Sequence, residues 1–206
     1  MKLEAGFRVL RLLGAGNQAL LRSTSEQDLL HKICNIAVEI GGYKMAWVGY
    51  VDTESGDKTV EKKARAGEGT EYLDSIVVRW DGDPLGLGPS GAAIRSGKPV
   101  VCRIDSDPFF GPWRAVAIQH GYASTLALPL TDGGAVFGVL RIYSSDPDAF
   151  GVDEVEMLQE LSHDLAFGIN AKRSTERLHK TEKALRESQE DRKSTRLNSS
   201  HRIRTR

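Results

Sequence analysis

Cysteine is scarce in this sequence: Cys34 and Cys102 are the only two in 206 residues. With no C-x-x-C pair and no histidine at ligand spacing, the chain offers neither a zinc site nor a disulfide framework. Both residues are expected to be reduced thiols in or near a core, and no metal or cofactor is expected. Long apolar runs are missing too. Nothing approaches the about 18 to 20 residues that span a bilayer, and the start, "MKLEAGFRVLRLL", lacks the apolar core and cleavage site of a secretory signal. A soluble, cytoplasmic chain without membrane contact is expected. Net charge is absent, since 28 Lys and Arg balance 28 Asp and Glu. That balance is uneven: the ending "DRKSTRLNSSHRIRTR" carries six basic residues and one acidic, leaving a body with 22 basic against 27 acidic. An acidic body lacks the clustered Lys and Arg that bind phosphate backbones, so nucleic acid is not an expected partner.

What is present is an ordinary globular composition, 40% hydrophobic and 27% charged, enough for one self-sufficient domain with short extensions. Residues 7–40 have helical periodicity, first through Val9, Leu12, Leu13, Leu20 and Leu21, then through Leu29, Leu30, Ile33, Ile36, Ala37 and Ile40. Thr24 or Ser25 is the expected N-cap of the second helix. "GAGNQA", Gly14 to Ala19, fits a dinucleotide fingerprint only as letters, because "FRVLRLL" before it reads as a helix and not as the buried strand that motif requires.

After Gly41 and Gly42 the period becomes two in "YKMAWVGYVD", and "DTESGD" turns it into a second extended run, "KTVEKKARAGE", making a hairpin. "GTEYLDSIVVRW" mixes a helical turn with a strand. A Gly- and Pro-rich loop, a short helix near Gly91 to Arg95 and a strand from Pro99 to Ile104 follow. A second short helix is expected from Trp113 to Gln119. "STLALPLT" and "AVFGVLRIYS" are strands joined across Asp132-Gly133-Gly134. Residues 151–190 read as one long helix with Asp153, Glu154 and Glu156 in its first turn, where the helix dipole favours anions. Val155, Leu158, Leu161, Leu165 and Ile169 form its core-facing stripe; beyond them only Ala171, Leu178 and Leu185 continue, at sevenfold spacing. The expected organisation is a connector helix at 1–22, a domain at 23–170, a coiled-coil-like helix at 171–190 and a separate tail at 191–206.

Helices at both ends of an antiparallel sheet describe an α+β domain. The ordered segments "GGYKMAWVGYVD", "GPSGAAIRSGKPVV", "DPFFGPWRAVAIQHGYASTLALPL", "FGVLRIYSSDPDAF" and "EVEMLQELSHDLAFGI" strongly resemble the GAF domains of bacterial signalling proteins, over about Leu12 to Ile169. They look closest to the type found beside PAS domains in sensor histidine kinases and diguanylate cyclases. The resemblance implies a central antiparallel sheet of five or six strands, with the terminal helices on one face and a loop-roofed small-molecule pocket on the other. It also implies a sensory module of a signal-transduction or two-component protein. Such a module works as a homodimer through its terminal helices and passes ligand state to a covalently linked output domain. The alternatives are a ligand-free dimerisation spacer and, less favoured, a thiol-based reductase.

The specialised versions of the family are tested by their own residues. The Asn-Lys-x-Phe-x-Asp-Glu string of cyclic-nucleotide binders is absent, and neither cysteine has the histidine neighbour of bilin-attaching domains. A methionine sulfoxide reductase of this family needs clustered pocket cysteines; Cys34 is expected behind the sheet, which leaves Cys102 without a resolving partner. His163 in "ELSHDLAFGI" resembles a phosphoacceptor, but Ala166, Phe167 and Gly168 follow where a kinase box has a basic residue and then a proline, so a polar helix residue is expected. No catalytic residue is assigned.

What remains is a candidate pocket. Trp47, Tyr72, Trp80, Trp113, Tyr122 and Tyr143 lie on segments that the resemblance places around it, each able to line a cavity or to fill the core. Arg141 and Tyr143 share one strand face; an arginine facing the pocket would pair with an anion, one facing solvent would not. Ser90 is placed to cap the short helix starting at Gly91, whose free amides form an anion site. Trp113 and Arg114 fall on the expected lid and Ser124 at the start of its strand. Finally, the eleven residues Asp191 to His201 back-translate into a widely used sequencing-library adapter. The tail is therefore expected to be non-native, and the chain to be a fragment of a larger sensor interrupted near Glu190.

Overall fold

The computed structural model describes the backbone of residues 2–52 and 56–203 and the side chains of 7–8, 10–52 and 56–189. Two compact units divide the chain, Met1–Ile169 and Asn170–Arg206. In the first, α1 (Lys2–Arg22) and α2 (Glu26–Glu39) precede the hairpin of β1 (Met45–Val51) and β2 (Val60–Gly67). A 3-10 turn, Thr70–Ser75, leads through a loop to α3 (Pro89–Ser96) and β3 (Val100–Arg103). Then come α4 (Gly111–Gln119), β4 (Ser124–Asp132), β5 (Ala135–Ser144) and α5 (Val152–Ile203).

The five strands form one antiparallel sheet in the order β2-β1-β5-β4-β3. The extended run expected after Tyr72 adds no sixth strand, only a bridge between Thr59 and Arg79 beside the end of β2. Residues 53–55, within the expected β1–β2 turn, lie outside the described residues. The β4–β5 connection is the two residues Gly133 and Gly134, with φ of 54° and 89°. Such angles suit a tight hairpin and disfavour any residue with a Cβ.

Strand alternation splits the interior into two cores. On one face Val48, Leu126, Leu128, Leu140 and Ile142 pack against α1, α2 and the first turns of α5 through Leu12, Leu30, Ile33, Leu158 and Leu165. On the other face Met45, Trp47, Ala127, Val139 and Tyr143 meet α3, α4 and the loops through Ala93, Phe110 and Trp113. Both faces are therefore covered, and the side chains of β5 from Gly138 to Ser144 are buried throughout. The expected α+β fold, with terminal helices on one side and loops on the other, is what forms.

Ser25 is the N-cap of α2, its hydroxyl accepting from the Asp28 amide at 3.1 Å. The fingerprint-like "GAGNQA" lies inside the continuous α1. A Cβ on Gly16 would sit 2.6 Å from Leu161 Cδ1, so this glycine serves close packing of α1 on α5 rather than a phosphate loop. Glu154 does more than sit near a helix N-terminus. It is buried and accepts from both the Arg8 guanidinium of α1 and the Tyr43 hydroxyl ahead of β1. Arg8 also lies over the Tyr43 ring at 5.4 Å.

α5 runs past Glu190 without interruption, consistent with the lack of Gly and Pro from 171 to 203. In the second unit Leu178 and Leu185 are exposed. Of the tail at 191–206, the side chains and residues 204–206 lie outside the described residues.

Candidate functional site

The site forms where the apolar face of the sheet would otherwise be open. β5 supplies Arg141 and Tyr143, and β1 supplies Trp47 directly opposite Arg141 in the antiparallel register. The 3-10 turn brings Tyr72, and the extended segment after it brings Ile76 and Val78 from the same side. The first turn of α3 closes one end with Pro89, Ser90 and Gly91, while Phe110 and Trp113 of the α4 region and Leu85 of the loop form the roof. Together they line a cavity of about 280 Å³, counted out to open solvent at its mouth.

Backbone approach explains the local sequence. A Cβ on Gly91 would lie 1.9 Å from the Gly86 carbonyl oxygen and 2.8 Å from that of Arg79. The loop can therefore press onto α3 only at a residue without a side chain. Arg95 fastens the same loop from the far end of α3, donating to the carbonyls of Trp80, Asp81 and Gly86 at 3.1, 2.6 and 2.6 Å. The roof is anchored by Trp113, whose ring packs against Gly88 and whose indole N–H donates to the Val77 carbonyl at 3.3 Å.

Among the described residues Arg141 is the only cation lining the cavity, and it is 2% exposed. Its Nη1 donates to Ser90 Oγ at 3.0 Å, and its Nη2 donates to Thr125 Oγ1 at 2.9 Å and to the Tyr143 hydroxyl at 3.2 Å. It also lies 5.1 Å from the Tyr143 ring centroid. All three acceptors are neutral hydroxyls, and none of the ion pairs among the described residues involves Arg141. Its Nε–H and the Trp47 indole N–H are buried without an acceptor.

Seven residues singled out from the sequence thus line one cavity: Trp47, Tyr72, Ser90, Gly91, Trp113, Arg141 and Tyr143. Four do not. Trp80 is half-buried at the domain edge under Lys58, whose Nζ lies 5.6 Å from its ring. Arg114 braces the loop before α4 by donating to the carbonyls of Ile104 and Asp107 at 2.8 and 2.5 Å. Tyr122 donates to the Glu68 carbonyl at 2.6 Å and packs against Tyr143 at 5.0 Å between centroids. Ser124 donates to the Asp146 carbonyl at 2.6 Å, tying β4 to the segment before α5. Ser90 also departs from its expected capping role: Gly88 is the N-cap of α3 and makes no side-chain cap, while the Ser90 hydroxyl faces Arg141. The apolar lining by Ile76, Val78, Leu85 and Phe110 escaped the sequence reading. Its signal was the i, i+2 spacing of Ile76 and Val78 ahead of the Gly-rich loop.

The two thiols lie in different cores, Cys34 with the helical face and Cys102 with the cavity face. Burial raises each to about 12. His163 is exposed on α5. Among the described residues no cluster of His, Cys, Asp or Glu is arranged to hold a metal ion, and no helix is long and apolar enough to cross a membrane.

Comparison with solved structures gives the same architecture in proteins of several roles. The free methionine-R-sulfoxide reductase of Neisseria meningitidis, solved with its substrate, is similar with a TM-score of 0.67 at 19% identity, over 84% of this chain and 93% of that one. The GAF domain of a phosphoenolpyruvate-protein phosphotransferase from Coxiella burnetii is similar at 0.64 and 16%, over 82% and 96%. A domain of a two-component sensor histidine kinase from Sinorhizobium meliloti gives 0.57 and 17%, over 76% and 99%. Identities this low speak for the fold alone. No curated protein matches the sequence. The GAF domain profile matches residues 23–170, from just after α1 to the last core turn of α5, and the chain belongs to the GAF domain family.

Proposed function

We propose that this chain is a small-molecule-sensing regulatory module, not itself catalytic, whose cavity takes a ligand and whose terminal helices report its presence to an output domain such as a histidine kinase or diguanylate cyclase. One observation carries the reading. The family's sheet is covered on its second face by a loop-built cavity lined by a buried arginine that pairs with no anion among the described residues, and two N–H groups of its lining residues have no acceptor. A domain that served only as a spacer would gain stability by closing that space with side chains.

The outer faces of the terminal helices support the homodimer. Phe7, Leu10 and Leu21 of α1 are 64%, 62% and 87% exposed, and Phe167, Leu178 and Leu185 of α5 are 76%, 66% and 60% exposed. Phe167, Ala171, Ser174, Leu178, Thr181 and Leu185 alternate steps of four and three, the spacing of a coiled-coil seam that needs a second helix. In this reading the Glu154 contact to Arg8 and Tyr43 joins the start of α5 to α1, so the two helices respond as one body. Ligand acts by favouring one of two helix arrangements.

The reductase relative prompts the alternative of thiol chemistry. Two raised, buried thiols in separate cores weigh against it, because thiolate attack needs a stabilised thiolate and a resolving partner within reach. The experiment is a thermal-shift panel of small metabolites on the whole chain and on Ile76→Trp, which fills the cavity from a half-buried position. At least one compound is expected to raise the wild-type melting temperature saturably and to leave Ile76→Trp unmoved. A panel without effect on either protein overturns the sensing reading.

A further inference from the structure

We infer that the cavity selects a small organic monocarboxylate with an apolar body, an assignment that rests on the reading of this cavity as a ligand site. The first observation is the charge balance. A guanidinium withdrawn from water costs several kcal/mol unless an anion compensates it, and cavity hydroxyls supply dipoles but no charge. Thr125 cannot change that, since its hydroxyl already donates its own proton to the Ile142 carbonyl at 2.9 Å while accepting from Arg141. An anion entering beside Arg141 supplies the missing charge.

The second observation is independent: two donors without acceptors belong to opposed residues that both line the cavity. Most buried N–H groups in folded proteins have partners, so each orphan asks for a reason. Arg141 Nε–H and Trp47 Nε1–H are two such orphans, carried on opposed residues of β5 and β1 and both lining the cavity. α3 adds the free amides of its first turn. Pro89 has no N–H, and Gly88 at the N-cap carries no side-chain oxygen to accept from Ser90 and Gly91. An eight-residue helix whose first turn meets a buried arginine is the surroundings of an oxyanion.

The class of anion follows from count and shape. One arginine and no second cation among the lining residues balance a single negative charge. A phosphate monoester, at about −1.5 to −2 near neutral pH, would be left with excess charge in a largely apolar space. Ile76, Val78, Leu85, Phe110 and Trp113 form the rest of the wall, and they suit a hydrocarbon or aromatic body.

The test pairs each acid with its neutral isostere. Thermal shift and calorimetric titration of the whole chain, at constant ionic strength in chloride, use acetate, isovalerate and benzoate against acetamide, isovaleramide and benzamide, with inorganic phosphate alongside. At least one carboxylate is expected to bind saturably and at least tenfold more tightly than its amide. Arg141→Gln is expected to erase that preference, and Trp47→Phe, which keeps the ring but removes the N–H, to reduce it severalfold. Amides that equal their acids overturn the carboxylate assignment while leaving the cavity as a ligand site. Phosphate binding more tightly than every carboxylate overturns the class. No binding by any probe overturns both the assignment and the reading it rests on.

Discussion

Tyr43, Tyr72 and Tyr122 each have a phenol buried in one of the two cores, and burial pushes all three well above the ordinary tyrosine value of 10.0. For Tyr43 the neighbouring Glu154 carboxylate adds to the effect, and for Tyr72 the Tyr143 hydroxyl does. A group whose folded pKa is raised holds its full stability below the unfolded pKa and loses it as pH rises. With the raised thiols of Cys34 and Cys102 counted as well, stability should begin to fall above about pH 9 and fall more steeply above about pH 10, each group held neutral contributing roughly 1.4 kcal/mol per pH unit. Urea unfolding followed from pH 8 to 11 checks the slope, and tyrosinate absorbance should appear together with unfolding. The thiols answer to the same physics. At pH 8 a disulfide reagent should label neither Cys34 nor Cys102 in the native chain within minutes and both after denaturation, because raised, buried thiols are poor nucleophiles. Fast labelling of native Cys102 would return the reductase reading to contention. Not every residue was legible. That Arg141 and Tyr143 share a face followed from the two-residue period, but "LRIYS" alternates Leu and Ile with Arg and Tyr as a strand half in water would. Only the covering of both sheet faces turns Arg141 inward, and that is a tertiary fact.

The elements themselves were legible because each carries its own period and punctuation. α2 begins at a serine cap, β4 and β5 turn on two glycines, and α5 continues while no Gly or Pro interrupts it after Gly168. What the sequence could not show is how the irregular segments close. The loop before α3 is held by Arg95 reaching back to three carbonyls and by the closeness that Gly91 permits, contacts without any periodic signature. Gly91→Ala tests this. In an exposed helix that change gains up to about 1 kcal/mol, but a Cβ 1.9 Å from a carbonyl oxygen must displace backbone, at a cost of roughly 1–3 kcal/mol. The variant is expected to unfold at lower denaturant and to lose carboxylate binding, as the loop lifts from the helix start. A Gly91→Ala chain with unchanged stability and binding would show that the loop is not seated as described. The missing sixth strand has a similar origin, since the Val78 segment gives side chains to the cavity wall and keeps only a bridge to the sheet edge.

At the scale of the molecule, the sheet separates two tasks. Its cavity face holds Arg141 and Trp47; its other face holds the helices that lead out of the domain through α5. Adjacent residues of β5 alternate between them, with Leu140 and Ile142 against the helices and Arg141 and Tyr143 against the cavity. A shift of that strand is therefore felt on both sides. If α5 pairs in a homodimer, Leu178→Glu with Leu185→Glu should convert a sedimenting dimer to monomer while the melting of the first unit changes little, both side chains being exposed in the single chain. The most direct measurement of sensing is hydrogen exchange on the whole chain, with and without a saturating amount of the carboxylate that gives the largest thermal shift. The account predicts slower exchange in α3 at 89–96 and, in the same experiment, altered exchange along α5 at 171–189. Protection confined to the cavity elements, with α5 unchanged, would contradict it.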